Sequence, residues 1–303
     1  MRIASLLPAG TEIAGRLGLA PDLVGVTFEC DDPAGISDRV PVVVDTALPA
    51  GGTPGEIDAV VRARASAGLP MYELDRATLA AADPELILTQ DLCAVCALPG
   101  SSVAQAQESI GTDARVLSLD PHRLTEVLEV ITAVGDAAGV PDAAAQVVGE
   151  LTARLDAVAA AVRGRPVPRV LVLEWTDPPF LSGHWVPDLV TAAGGEAVGA
   201  IPGGRSVAVG WDGLPEALDA VLVAPCGFGL DDAVAQARAV TGHLPAGVPV
   251  WAVDSASYVV RAGPRLVDGV EAIAAALHPG TVPEPPPGRI ARVRPASPPP
   301  AGD

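Results

Sequence analysis

Arg169-Val170-Leu171-Val172-Leu173-Glu174 reads as a β-strand, and its position in mid-chain decides the fold. It follows two long helical stretches and opens a second run of alternating strands and helices. Downstream, a helix is predicted from about His184 to Ala193. Strands follow at Ala220 to Ala224 and Val248 to Val253, with a helix from Asp231 to Val240 between them and a last helix from Pro264 to Leu277. Upstream lie two helices. In the first, Arg123 to Ala138, residues Leu124, Val127, Leu128, Ile131 and Val134 form one apolar face. The second covers about 142 to 163 and carries Val147, Leu151, Leu155 and Val158 at helical spacing.

Before those helices a first α/β pattern is legible. Strands are predicted at 2–7, Leu23 to Thr27, Glu85 to Thr89 and Arg115 to Leu119. Helices are predicted at Gly10 to Leu19, Pro54 to Ala67, Arg76 to Ala82 and Ser101 to Ile110. Repeated β/α alternation implies parallel sheet covered by helices. The expected fold class is therefore α/β, with two Rossmann-like lobes of parallel sheet joined by a long helical connector and a ligand cleft between the lobes. The boundaries are 1–121, 122–166 and 167–280. Residues 281–303, rich in Pro and Gly, are expected to be disordered or extended.

Composition removes several function classes. All 19 bases among the 303 residues are Arg, and Lys and Asn are absent. That excludes a Walker-type phosphate loop, Schiff-base and pyridoxal-phosphate chemistry at a Lys, and N-glycosylation. A net charge of −18 argues against nucleic-acid binding, which depends on cations neutralising phosphates. No apolar run reaches the roughly 18 residues a transmembrane helix needs. The first residues enter a strand at once without a signal-peptide pattern, so a cytoplasmic location is expected. Four Cys in such a chain suit thiols or metal ligands better than a disulfide framework.

In open α/β sheets ligands bind beyond the carboxyl ends of the strands. All four Cys fall in segments that follow predicted strands: Cys30, Cys93, Cys96 and Cys226. So do seven of the nine aromatics, if the loop of Trp211 faces the same way: Phe28, Trp175, Phe180, Trp185, Trp211, Phe228 and Tyr258. Free Cys and aromatics ordinarily favour cores. Their placement predicts a site with aromatic walls, suited to a large, flat or apolar ligand.

Five stretches carry a resemblance. Ser5-Leu6-Leu7-Pro8-Ala9-Gly10-Thr11-Glu12-Ile13 and Gly25-Val26-Thr27-Phe28-Glu29-Cys30-Asp31-Asp32-Pro33 resemble the opening of cobalamin-binding-protein-like members of the class III periplasmic-binding-protein superfamily. Thr89-Gln90-Asp91-Leu92-Cys93-Ala94-Val95-Cys96-Ala97, Gly183-His184-Trp185-Val186-Pro187-Asp188-Leu189 and Arg261-Ala262-Gly263-Pro264-Arg265-Leu266-Val267-Asp268-Gly269 look like later motifs of the same group. The resemblance spans about residues 2 to 279. It implies a corrinoid such as cobalamin, or another metal chelate, clamped between two lobes. Transport members of the superfamily carry a surface Glu on the helix before the strand that corresponds to Glu85 to Thr89, used to dock an ABC permease. Ala77 stands about there, which puts permease docking in doubt.

The candidate ligand-binding residues are Glu12, Phe28, Glu29, Trp175, Phe180, Trp185, Phe228, Tyr258, Arg261 and Arg265. The two Arg, straddling Pro264, could hold an anionic ligand edge or could pair with surface acids such as Asp268. Glu12 could also be there for its charge at a helix N-terminus. Glu29, Asp31 and Asp32 could be metal ligands, an acid/base pair or a solvated acidic loop. Cys93-x-x-Cys96 could bind a soft metal, form a redox dithiol or be two ordinary thiols. With Cys30, Cys226 and His184 it forms a candidate metal site, and His184 could equally cap a helix. Two readings therefore stand: a ligand-binding protein with no enzymatic step, or an enzyme using a metal or thiol site on the same scaffold.

Overall fold

The computed structural model describes residues 1–49, 51–90 and 113–294. The chain divides into two compact units: Met1–Pro121 with Thr125–Glu150, and His122–Leu124 with the chain from Leu151 onward.

The first unit is built on a six-stranded sheet. Its strands are β1 (Ile3–Ser5), β2 (Leu23–Thr27), β3 (Val42–Thr46), β4 (Tyr72–Leu74), β5 (Leu86–Thr89) and β6 (Arg115–Ser118), in the order β4-β3-β2-β1-β5-β6. All neighbours are parallel except β4, which closes the edge antiparallel to β3. β1, β2 and β5 are buried almost throughout, as expected of parallel strands covered on both faces. Helix α1 (Pro8–Arg16) packs tightly on this sheet. A Cβ added at Gly10 would sit 2.7 Å from Ser5 Oγ and 3.2 Å from the Leu88 Cβ, so only glycine allows that approach. Helix α2 (Pro54–Ser66) starts at a reciprocal cap between Thr53 and Glu56, with Pro54 in its first turn. Helix α3 (Arg76–Ala82) is capped by Asp75, whose carboxylate accepts from Thr78 N–H.

Two of these strands, β3 and β4, have no counterpart in the sequence reading. Val42-Val43-Val44 is too short a run for periodicity to separate strand from loop. Tyr72–Leu74 is a three-residue edge strand with alternating exposure that only its partner defines.

Helices α4 (Leu124–Ala138) and α5 (Pro141–Val162) match the two predicted amphipathic helices closely. Leu124, Val127, Ile131 and Val134 are buried on α4, and Val147, Leu151 and Val158 on α5. From Thr125, α4 belongs to the first unit, while α5 contributes its residues to Glu150 to the first unit and the remainder to the second.

The second unit centres on β7 (Arg169–Thr176), β13 (Ala220–Val223) and β14 (Val250–Val253), which run parallel. β8 (Pro179–Leu181) folds back antiparallel on β7, and β12 (Val207–Ala208) pairs antiparallel with β8. β10 (Glu196–Ala197) pairs with the start of β7. β9 (Gly183–His184) and β11 (Ile201–Pro202) form a separate two-stranded ladder. Helix α7 (Leu230–Val240) covers one face, with Ala233, Ala237 and Val240 against Leu171, Leu173, Val221 and Val250. Helix α6 (Val186–Ala192) packs against helix α9 (Leu266–Leu277), and one turn of helix, α8 (Ser255–Tyr258), follows β14.

Within the Pro- and Gly-rich stretch, the described residues include a strand that the sequence reading did not name. Ile290–Arg294 form β15, an edge strand antiparallel to β14. Arg294 anchors it by donating to the carbonyls of Val248, Pro245 and Thr241 at 2.9, 2.7 and 3.1 Å. The Arg292 guanidinium lies 5.3 Å from the Trp251 ring centre. Composition pointed to disorder because Pro and Gly dominate the approach. It does not register side-chain anchoring by Arg.

Candidate functional site

Because β7, β13 and β14 are parallel neighbours, the segments that follow them emerge at one edge of the second unit. Trp175 stands near the end of β7, Phe228 in the loop after β13, and Tyr258 on α8 after β14. The Trp175 and Phe228 rings lie 5.7 Å apart at 49°, a tilted aromatic pair. Both are partly exposed. Phe180, on β8, is cross-strand partner to Trp175.

Backbone bonds fix this arrangement. The Trp175 indole N–H donates to Asp177 O at 3.0 Å. Cys226 N–H donates to Glu174 O at 2.9 Å, and Ser255 and Ala256 N–H both donate to Phe228 O at 3.1 Å. The Phe228 loop is thus strapped to β7 on one side and α8 on the other. The Tyr258 ring carries the Arg289 guanidinium 5.2 Å from its centre. Arg289 in turn sits 3.2 Å from Asp268. Arg261 and Arg265 are half-buried on the segment joining α8 to α9.

Trp185 does not join the wall. It is 5% exposed, and its indole N–H is spent on Val259 O at 2.8 Å. It stands between β9 and α6, and its ring turns inward, where it packs as core.

His184 is likewise turned into its own unit. Its backbone is left-handed, with φ 48°, so it belongs to β9 and precedes α6 without being part of it. Its N–H donates to Gly204 O at 2.6 Å, and its carbonyl accepts from Gly203 N–H at 2.9 Å. The ring lies 6.1 Å from that of His122, whose Nδ1 is 3.1 Å from Gly203 O. His184 Nε2 is buried and has no hydrogen-bond partner among the described residues. Burial, followed by the charges of His122 and Arg205, holds its pKa below the ordinary histidine value. In this conformation the enclosed Nε2 is not open to a ligand or metal from outside the unit.

Glu174 is the residue that sequence reasoning passed over. Its Oε1 accepts from Gly183 N–H at 3.0 Å and its Oε2 from the Ser206 hydroxyl at 2.5 Å. Burial pushes its pKa up to about 7, only partly opposed by those two donors. The signal was one carboxylate at the end of an otherwise apolar strand run.

In the first unit, β1, β2 and β5 also run parallel, and the candidate residues again follow them. Glu12, on α1, is buried at 1% exposure. Phe28 is 38% exposed, unusual for a large aromatic, while Glu29 is half-buried. Cys30 corrects the metal expectation. It is 3% exposed, and its sulfur lies 3.0 Å from Thr11 Oγ1, 3.3 Å from Thr27 Oγ1 and 3.4 Å from Thr27 N–H. That thiol ties the loop after β2 to α1 and is not presented to a metal. Cys226 is exposed. Cys93 and Cys96 lie outside the described residues. Among the described residues, no three His, Cys, Asp or Glu side chains gather as a metal site. Among the described residues, no helix is long and apolar enough to cross a membrane.

What these faces can do is bind. Each unit presents aromatic surface at the carboxyl edge of its parallel strands, with carboxylates or arginines close by in sequence. A cavity of about 390 Å³ in the first unit, lined by Arg16, Gly18, Gln146 and Glu150, lies at the far end of α1 from that edge.

Residues 3–247 match the family model described as periplasmic binding protein. A periplasmic heme binding protein from Pseudomonas aeruginosa is similar in structure, with TM-score 0.69 and 22% identity over 98% of this chain and 99% of that one. A periplasmic heme-binding protein from Roseiflexus sp. RS-1 gives TM-score 0.68 and 21% identity over 92% and 98%. A periplasmic vitamin B12 binding protein of Vibrio cholerae gives 0.65 and 19% over 91% and 96%. No curated protein sequence matches. The α/β architecture, the match over most of the chain and these likenesses agree: the chain belongs to the periplasmic binding protein family and is a ligand-binding protein of that superfamily.

Proposed function

We propose that this protein binds a flat, metal-bearing macrocycle, a corrinoid in the first instance, against the aromatic face of its second unit. The observation that carries the reading is the Trp175–Phe228 pair at 5.7 Å, held by backbone bonds at the carboxyl edge of three parallel strands. Tilted aromatic rings complement the faces and edges of a conjugated ring system. The resemblance of the opening motifs to cobalamin-binding-like sequences favours a corrinoid. The heme-binding and vitamin B12-binding names of the structural relatives support the broader class of metal tetrapyrroles and corrinoids.

The experiment is calorimetric titration of the purified chain with hydroxocobalamin, and separately with hemin, each followed by visible absorbance. Saturable one-site binding of hydroxocobalamin, tighter than that of hemin, supports the corrinoid reading. Preference for hemin moves the ligand to heme. Binding of neither at tens of micromolar overturns the proposal.

A further inference from the structure

Glu174 occupies an environment that the ligand reading does not use. Its carboxyl joins Gly183 N–H at 3.0 Å and the Ser206 hydroxyl at 2.5 Å, and no ion pair to it exists among the described residues. Those two contacts fasten β9 and the turn at 203–206 to the end of β7. The fit there is close. A Cβ on Gly183 would lie 2.5 Å from Gly204 O and 2.7 Å from the Arg205 carbonyl carbon, so the two backbones are in direct contact. The turn leads straight into β12, whose Ala208 pairs with Phe180, the cross-strand neighbour of Trp175.

We propose that Glu174 is a proton-operated latch on the 203–206 turn. In the neutral form Oε1 accepts from Gly183, and a proton on Oε2 is donated to the Ser206 oxygen, so both contacts are satisfied without charge. In the ionised form a half-buried carboxylate faces two neutral donors and no cation among the described residues, an arrangement that favours drawing in water and parting the turn from β7. Raised pH therefore loosens the turn, and with it the β12–β8 pairing beside Phe180. Burial acts in the same direction, holding the proton up to about pH 7.

The other titratable groups around it are few. His184 follows Gly183, with His122 6.1 Å from its ring, and Arg205 precedes Ser206. Cys226, exposed, follows β13, and Asp177, exposed, lies beyond Trp175. β8, β12 and β13 contribute no ionisable side chain. Any effect on a ligand rests on the reading above, but the latch itself does not, and it is tested without ligand.

The test is amide hydrogen exchange at Gly183, His184, Gly203 and Gly204 in the ligand-free chain from pH 5.5 to 8.5, corrected for intrinsic exchange. Protection is expected to fall about tenfold from pH 6 to pH 8, as linkage to one proton requires. In Glu174→Gln, an amide that reproduces the neutral acid's contacts, the profile should be flat. In Ser206→Ala the anion loses a donor, so the midpoint should move to higher pH. A flat wild-type profile overturns the latch. So does an inflection that survives in Glu174→Gln, which would belong to the histidines, or a midpoint unmoved in Ser206→Ala.

Discussion

The ring centres of Trp175 and Phe228 lie 5.7 Å apart, although the two residues come from different strands' ends and 53 positions separate them in the chain. The contact exists because β7 and β13 are parallel neighbours, with Leu173 in register with Val223, so their following segments meet. It places aromatic surface at the sheet edge where this architecture receives ligands.

That placement makes Trp175 the indole most sensitive to ligand. Trp185 is buried at 5% exposure and bonded to Val259, Trp211 stacks on His243 with ring centres 4.5 Å apart, and Trp251 lies under Arg292. Corrinoid or heme binding should quench tryptophan fluorescence, and Trp175→Phe should remove most of the quench while leaving the thermal midpoint within a few degrees.

The thiols should differ in reactivity. Cys226 is exposed and Cys30 is buried among threonine hydroxyls. Alkylation of the native chain followed by peptide mass spectrometry should label Cys226 promptly and Cys30 only on denaturation. Cys30→Ala should cost about 1–2 kcal/mol in denaturant unfolding, through the lost contacts and a small cavity.

Arg154 joins α5 to α9 through Glu271 at 2.7 and 2.8 Å and Asp268 at 2.5 Å, and Arg289 meets the same acids. The two carboxylates hold the Arg154 guanidinium firmly in its charged form. Arg154→Ala should destabilise by about 1–3 kcal/mol, the loss lying between that of an exposed pair and a buried one. Unfolding midpoints in 0.1 and 1 M salt would check this, with the deficit smaller in high salt.

Stability should also report Glu174. Its folded pKa, about 7, stands above the ordinary value of 4.5. The folded state therefore binds the proton more tightly, and that contribution is fully present below pH 4.5 and lost as pH rises through about 7. His184 acts oppositely: its pKa is lowered, so its contribution is lost as pH falls through the ordinary histidine range. Unfolding free energy measured for wild type minus Glu174→Gln should fall between pH 5 and 7 and be level above about 7.5. A difference that is level throughout would place the carboxyl in water.

The sequence carried much of the fold and less of the site, for physical reasons. Val127, Ile131 and Val134 mark a helix by spacing alone, and Val170 to Leu173 mark a strand, because burial demands a periodic or continuous apolar pattern. β15 escaped because it is held by Arg294 on three backbone carbonyls, a contact no hydropathy pattern records. Trp175, Phe180 and Phe228 were legible through topology, since residues after parallel strands share an edge. Cys30 and Trp185 were misjudged for the same reason: position after a strand gives the edge but not the direction of the side chain. Thr11, 19 residues before Cys30, is what encloses that thiol. Glu174 was hidden by its own strand, its partners Gly183 and Ser206 being 9 and 32 residues away.

The central claim is that a metal-bearing macrocycle sits on the Trp175–Phe228 face. The most direct measurement is the dissociation constant of hydroxocobalamin, with hemin alongside, for wild type and for Trp175→Ala/Phe228→Ala. The account predicts saturable binding to wild type and a loss of about 30-fold or more in the double variant, equivalent to about 2 kcal/mol for truncated aromatic anchors, with folding retained. Unchanged affinity in a folded double variant, or no binding of either macrocycle to wild type, would contradict it.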